Sequence, residues 1–155
     1  KSHNLAGARI GLVAGQKEYI DTILKVKSNV DSGMYLPLQD AAIAALSNDA
    51  AWHEARNKEY KKRREFAYNI MDALDCTYDK NQIGMFLWAK IPATYNNVEE
   101  LTEKILHEAN VFITPGFIFG SKGERYIRIS LCSPENDLKE ALDRICELRI
   151  TNYNL

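Results

Sequence analysis

The spacing of apolar residues predicts five helices in this chain of 155 residues. Apolar side chains that recur every three or four residues form one stripe along a helix. The predicted helices cover residues 16–28, a segment that begins near Pro37, residues 50–74, a segment opened by Asn97, and a segment that begins after Ser133 and Pro134. Proline fits the first turn of a helix, and Asn97 with Glu100 three residues later resembles a capping box.

Four apolar runs lack the helical spacing and predict β-strands instead. They cover residues 8–14, Gly84–Ile91, Val111–Thr114 and Arg125–Leu131. The run over residues 8–14 is predicted to be a buried strand. Because side chains alternate along a strand, Tyr126, Arg128 and Ser130 are predicted to share one face of the last strand.

The order of these elements predicts an α+β fold. After the long helix the elements run β-α-β-β-α, which favours a small, mostly antiparallel sheet with helices on one face. The strand over residues 8–14 and the helix after it are predicted to be a remnant of a larger domain. We therefore divide the chain into residues 1–30, from that larger domain, and residues 31–155, a small C-terminal domain that includes the long connecting helix. With the larger domain the fold is α/β overall.

Composition and charge narrow the classes of function. Hydrophobic residues make up 46% of the chain and charged residues 26%, as in ordinary globular proteins. A net charge of −1 gives no general attraction to nucleic acid or to an anionic membrane, so neither partner is expected. Cys76, Cys132 and Cys146 are odd in number and form no CxxC pair. This pattern argues against a disulfide framework or a zinc site, and it favours a cytoplasmic protein without a metal.

The segment Lys1–Gly11, with the sequence KSHNLAGARIG, combines two kinds of cation with small residues. A lysine amine can react with an aldehyde, and the planar guanidinium of Arg9 can bind a phosphate. Gly7 and Gly11 flank the arginine, so backbone can come close to a bound group. The segment is therefore suited to a phosphorylated aldehyde cofactor.

A second informative stretch runs from Thr114 to Leu131. Arg128 lies in an apolar strand between two isoleucines, on the predicted face of Tyr126 and Ser130. An arginine in this setting can bind a planar carboxylate with two parallel hydrogen bonds. An edge-strand or salt-bridging arginine fits the same pattern. Tyr35, Phe117 and Phe119 are predicted to be packing residues.

Both stretches resemble signatures of one protein family. Lys-x-x-Asn-Leu-x-Gly-x-Arg-Ile-Gly resembles the cofactor-lysine signature of class I/II aminotransferases, which are pyridoxal 5′-phosphate (PLP) enzymes of fold type I. Pro-Gly-x-x-Phe-Gly followed by Tyr-Ile-Arg-Ile-Ser resembles the C-terminal signature of the same family. The two motifs occur in the expected order. The resemblance implies a large PLP-binding domain followed by a small C-terminal domain.

The resemblance also implies roles for three residues. Lys1 would hold PLP and act as the catalytic base and acid, and Arg9 would bind the cofactor phosphate. Arg128 would bind the α-carboxylate of the substrates, which are an amino acid and a 2-oxo acid. The full-length protein is expected to be a homodimer.

The chain begins at the motif lysine, whereas the family carries several cofactor-binding groups before that lysine. We therefore expect a C-terminal fragment that is inactive alone and whose exposed strand tends to associate. Two alternatives stay open. A PLP-dependent carbon–sulfur lyase or acyl transferase shares both motifs, and a non-catalytic structural domain would keep the fold without the chemistry.

Overall fold

A computed structural model describes the backbone of residues 2–153 and the side chains of residues 2–148. The chain divides into two compact units, of which the first ends at Glu54 and the second begins at Ala55. None of the helices within residues 2–153 has the combined length and apolar character that crossing a membrane requires.

Helices make up most of the first unit. It contains a short 3-10 helix at Ala6–Ala8, followed by α1 (Lys17–Val30), α2 (Leu36–Leu46) and the start of α3 (Ala50–Ala73). Pro37 lies in the first turn of α2, as predicted. The backbone N–H of Trp52 donates to Oδ1 of Asp49 at 2.8 Å, which caps the start of α3.

The prediction of a buried strand over residues 8–14 is wrong. Residues 10–16 have no regular secondary structure, and Leu12 and Val13 keep 80% and 68% of their surfaces exposed. A strand needs a neighbouring strand to pair its backbone groups, and residues 2–54 provide none. The helix predicted after this run is present as α1, so only the strand of the predicted remnant is missing.

The second unit contains a three-stranded antiparallel sheet. Its strands are β1 (Phe86–Lys90), β2 (Thr114–Pro115) and β3 (Tyr126–Ser130), and the spatial order is β1-β3-β2. Arg128 lies opposite Trp88 on β1 and opposite Thr114 on β2. Together with α4 (Val98–Ala109) and α5 (Glu135–Tyr153), this sheet confirms the α+β class.

One face of the sheet and the three helices α3, α4 and α5 enclose the hydrophobic core. The largest fully buried side chains come from all of these elements: Met71, Leu87, Val98, Leu101, Ile105, Ile127, Leu131 and Ile145. Burying one such side chain contributes about 1.5–3 kcal/mol. The core therefore fixes which face of β3 remains available for other contacts.

The predicted start of α4 is confirmed in detail. The backbone N–H of Glu100 donates to Oδ1 of Asn97 at 2.9 Å, which is the capping bond of the predicted box. The Glu100 carboxylate accepts from the backbone N–H of Asn96 rather than from that of Asn97. The helix thus begins where the sequence indicates, and the Glu100 carboxylate bonds to the residue before Asn97.

The third predicted strand is shorter than expected. Only Thr114 and Pro115 pair with β3, whereas residues 111–113 lie outside the ladder. Asn110 ends α4 in the left-handed conformation. Three extended residues reach at most about 10 Å, so this segment serves to carry the chain from the helix to the sheet.

Candidate functional site

Arg128 projects from the face of β3 that does not join the core. Its neighbours Ile127 and Ile129 are buried, while Arg128 and Ser130 are half-buried and Tyr126 is exposed. The alternation predicted from the sequence is therefore present. Since the buried isoleucines fix the strand's orientation, Arg128 lies on the open face.

Two aromatic rings pack against the Arg128 guanidinium. Its Cζ atom lies 4.4 Å from the centroid of the Phe86 ring and 4.0 Å from that of the Phe119 ring. Trp88 meets the Phe119 ring edge-on with centroids 5.4 Å apart, and it lies 6.4 Å from Tyr126. The open face of the sheet is thus an aromatic surface with one cation in it, and such contacts stabilise a guanidinium.

No protein group neutralises this cation within the part of the chain that the structure describes. Nε of Arg128 is buried and has no hydrogen-bond partner there, and no carboxylate forms an ion pair with the side chain. A buried donor without an acceptor costs about 1–3 kcal/mol. The salt-bridging alternative therefore lacks a partner among the described residues, and the side chain is suited to an external anion.

Backbone contact between two glycines positions Phe119. Phe119 is the last residue of a 3-10 helix at Gly116–Phe119, and a second 3-10 helix follows at Ser121–Gly123. A Cβ atom on Gly116 would lie 2.5 Å from the carbonyl oxygen of Gly123, and one on Gly123 would lie 2.0 Å from that of Gly116. Both positions therefore require glycine, because any side chain would push the two turns apart.

Arg125, which immediately precedes β3, makes different contacts. Nη1 of Arg125 donates to the carbonyl oxygens of Tyr95 and Asn96 at 2.5 and 2.9 Å, and Nη2 donates to that of Pro92 at 2.9 Å. All its acceptors lie in the loop between β1 and α4. Arg125 is thus engaged in holding this loop, unlike Arg128.

A groove of about 260 Å³ adjoins Arg128. Thr114, Ser130, Ser133 and Asp137 provide its polar lining, and residues 111–113 with parts of α3 and α5 provide its apolar lining. Ser130 Oγ already accepts from the backbone N–H of Cys132 at 3.2 Å. The groove combines a cation, hydroxyl groups and the carboxylate of Asp137, and it has room for a small molecule.

In the first unit, Arg9 is exposed and adopts the left-handed backbone conformation, with φ 52° and ψ 34°. Its backbone N–H donates to the carbonyl oxygen of Ala6, and its guanidinium forms no ion pair with any described residue. A free guanidinium beside an open backbone turn is suited to a phosphate. Lys1 lies outside the described residues.

Sequence reasoning missed the two rings at Arg128. Phe119 was predicted to pack, but half of its surface is exposed and it contacts the arginine instead. The alternation along residues 84–91 was a usable signal for Phe86, because it places this ring on the same face as Trp88.

A mainly apolar cleft of about 490 Å³ in the first unit, lined by residues such as Leu5, Met34 and Leu46, was also not predicted.

Comparison with known proteins gives a consistent result. The family model "Aminotransferase class I and II" matches residues 1–145. The LL-diaminopimelate aminotransferase of Maridesulfovibrio salexigens is 36% identical over 148 residues, which cover 96% of this chain and 38% of that protein.

Two solved structures extend the likeness. The substrate-bound BacF structure from Bacillus subtilis has a TM-score of 0.85 at 36% identity, covering 96% of this chain and 38% of that one. The aromatic aminotransferase from Pyrococcus horikoshii has a TM-score of 0.86 at 27% identity, covering 100% of this chain and 42% of that one. The chain therefore spans about two fifths of the length of these relatives. The match to the family model over most of the chain shows that the chain belongs to the class I and II aminotransferase family.

Proposed function

We propose that this chain is the C-terminal part of a PLP-dependent aminotransferase, which moves an amino group between an amino acid and a 2-oxo acid. The observation that carries the proposal is Arg128, a guanidinium without a protein acceptor among the described residues, on an open sheet face next to a groove. Amino acids and 2-oxo acids share an α-carboxylate. One arginine can therefore bind both substrates.

Arg128 would bind the α-carboxylate through two parallel charge-assisted hydrogen bonds and so orient the reacting carbon. Arg9 would bind the phosphate of PLP, and the free state of its guanidinium supports this role. Lys1 would hold the cofactor and carry a proton between the substrate Cα and the cofactor C4′. PLP, when bound, supplies the electron sink for this chemistry.

The proposed enzyme is larger than this chain. Residues 1–30 would belong to its PLP-binding domain and residues 31–155 to its small domain. The relatives are more than twice as long as this chain, so the remaining cofactor contacts would come from other residues of the enzyme. We propose that the enzyme is a cytoplasmic homodimer and that this chain alone is inactive.

The test compares Arg128→Lys with the unchanged complete enzyme. Lysine keeps the charge but loses the planar fork, so KM for the amino acid should rise about 10- to 100-fold. Arg144→Lys is the control, because Arg144 pairs with Glu140 on the surface of α5. This variant should have the same KM as the unchanged enzyme. An unchanged KM in Arg128→Lys would remove this residue from the substrate site.

Lys1→Ala should abolish turnover and the absorbance of the lysine-linked cofactor in the same enzyme. Product analysis with an amino acid and 2-oxoglutarate then defines the reaction. Formation of glutamate supports an aminotransferase. Formation of a thiol or a transferred acyl group instead would indicate the related lyase or acyl transferase chemistry.

A further inference from the structure

We infer that Phe86 and Phe119 are positioning residues for substrate binding: their rings hold the Arg128 guanidinium so that its two terminal nitrogens form the donor edge for a carboxylate. This inference rests on the proposed function of Arg128. It adds two residues that act on the substrate through the arginine and that need not touch the substrate themselves.

The two contacts come from separate elements. Phe86 begins β1, and Phe119 ends the 3-10 helix Gly116–Phe119. With ring centroids 4.4 and 4.0 Å from Cζ, the guanidinium cannot turn about its side-chain bonds without losing contact with at least one ring. An arginine side chain loses rotamer freedom when it is fixed. Because the rings fix the side chain before the substrate binds, this loss of entropy does not weaken substrate binding. The binding site is preorganised in this sense.

Burial of Nε selects one edge of the guanidinium. A guanidinium can meet a carboxylate through its two terminal nitrogens or through Nε and one terminal nitrogen. In Arg128, Nε is buried, so a ligand that enters from solvent cannot reach the second edge. The substrate would therefore meet the end of the arginine, along the direction that the rings define.

Phe119 is itself held in place. Trp88, the cross-strand neighbour of Arg128, meets the Phe119 ring edge-on with an interplanar angle of 71°. The backbone contact of Gly116 with Gly123 fixes the turn that carries the ring. The arginine, the ring and the tryptophan thus form one packed group, in which Phe119 links the loop to the strand.

The experiment measures kcat and KM of the complete enzyme with Phe119→Leu, which removes the ring and keeps an apolar side chain. We expect KM to rise about 10-fold for both the amino acid and the 2-oxo acid, which is the size of a typical partly desolvated cation–π contact. The kcat value should stay within about twofold, because the arginine binds ground state and transition state alike. Phe119→Tyr keeps the ring and should restore most of the affinity. Phe86→Leu tests the second ring in the same way.

A second substrate separates positioning from general damage. The primary amine that lacks the α-carboxylate has nothing for Arg128 to bind, so Phe119→Leu should leave its half-reaction rate unchanged. Phe117→Leu, in the same 3-10 helix but without a ring contact to Arg128, is the matched control and should leave both substrates unchanged.

Three results would overturn the inference: a change in KM below about twofold in both Leu variants, an equal loss with the amine, or an equal loss in Phe119→Tyr. Failure of the proposed function gives a different result. In that case Arg128→Lys itself would leave the preference for the amino acid over the amine unchanged, whatever the Phe119 variants do.

Discussion

Burial controls the chemistry of single residues, and Cys76 is the clearest case. Its side chain is buried just beyond the end of α3, with Sγ 3.7 Å from the carbonyl oxygen of Leu74. Burial, and to a smaller extent the negative charge of Asp75, raises the pKa of the Cys76 thiol from 9.0 to about 12. The thiol therefore stays protonated at neutral pH, in contrast to what a reactive cysteine needs.

This raised pKa predicts a loss of stability in alkali. The unfolded chain releases the thiol proton near pH 9 and the folded chain only near pH 12, so the stabilisation is complete below pH 9 and disappears as pH rises towards 12. The free energy of unfolding should fall by up to about 1.4 kcal/mol per pH unit within this window through this one group. Urea unfolding at pH 8 and pH 10 measures it.

The control for this measurement is Cys76→Ala, which should reduce the pH slope, while Cys146→Ala on the exposed side of α5 should keep it. Equal slopes in all three proteins would show that the Cys76 thiol does not titrate differently in the folded and unfolded chain.

At the scale of elements, the start of β3 separates two arginines with different contacts. Arg125 immediately precedes β3, whereas Arg128 lies within it on the open face of the sheet. Arg125 donates three hydrogen bonds to the loop before α4, whereas Arg128 donates none within the described chain. Identical side chains close together in the sequence thus make different contacts.

This difference predicts that substitution of Arg125 lowers the stability of the fold more than substitution of Arg128 does. Arg125→Gln should lower the free energy of unfolding by about 2 kcal/mol, since three carbonyl oxygens lose a charged donor. Arg128→Gln should cost less than half as much, because only ring contacts are lost. Chemical denaturation of both variants measures the difference. A larger loss for Arg128→Gln would show that the arginine is mainly a structural residue.

The helices could be predicted from the sequence more reliably than the strands. Apolar spacing, Pro37 and Asn97 are local signals, and they placed α1 to α5 to within a few residues. A strand depends on a partner that lies far away in the sequence. Residues 8–14 have the composition of a strand but no partner in the described chain, and residues 111–113 are needed as a connection.

The same limit applies to the candidate site. Alternation along β3 predicts the open face of Arg128 from local sequence alone. The contacts with Phe86 and Phe119 depend on sheet register and on the close approach of Gly116 and Gly123, which no local pattern specifies. The roles of Lys1, Arg9 and Arg128 stay predictions.

On the scale of the whole chain, the two units differ in how much they bury. No described residue up to Glu54 is buried, although α1 carries an apolar stripe that includes Tyr19, Ile23 and Leu24. The second unit has a continuous core. A helix of 14 residues is marginal without packing, so we expect α1 to gain little stability from residues 2–54.

Hydrogen exchange should show this contrast directly. In the isolated chain, amides of α1 should exchange at least about 100-fold faster than those of β1 and β3, because only the latter need the core to open. In the complete enzyme, covering of the apolar stripe should slow exchange in α1 by a similar factor. Equal protection of α1 and β3 in the isolated chain would mean that α1 is already stabilised there.

The short outer strand of the sheet affects the kind of aggregate that the protein would form. Pro115 has no N–H to donate, so β2 offers an incoming strand little to pair with, and on the other side Thr77 already exchanges hydrogen bonds with Lys90 of β1 at 2.8 Å. Growth of a fibril needs a free row of donors and acceptors at a sheet edge. Misassembly of the folded chain should therefore give amorphous precipitates that do not bind amyloid dyes.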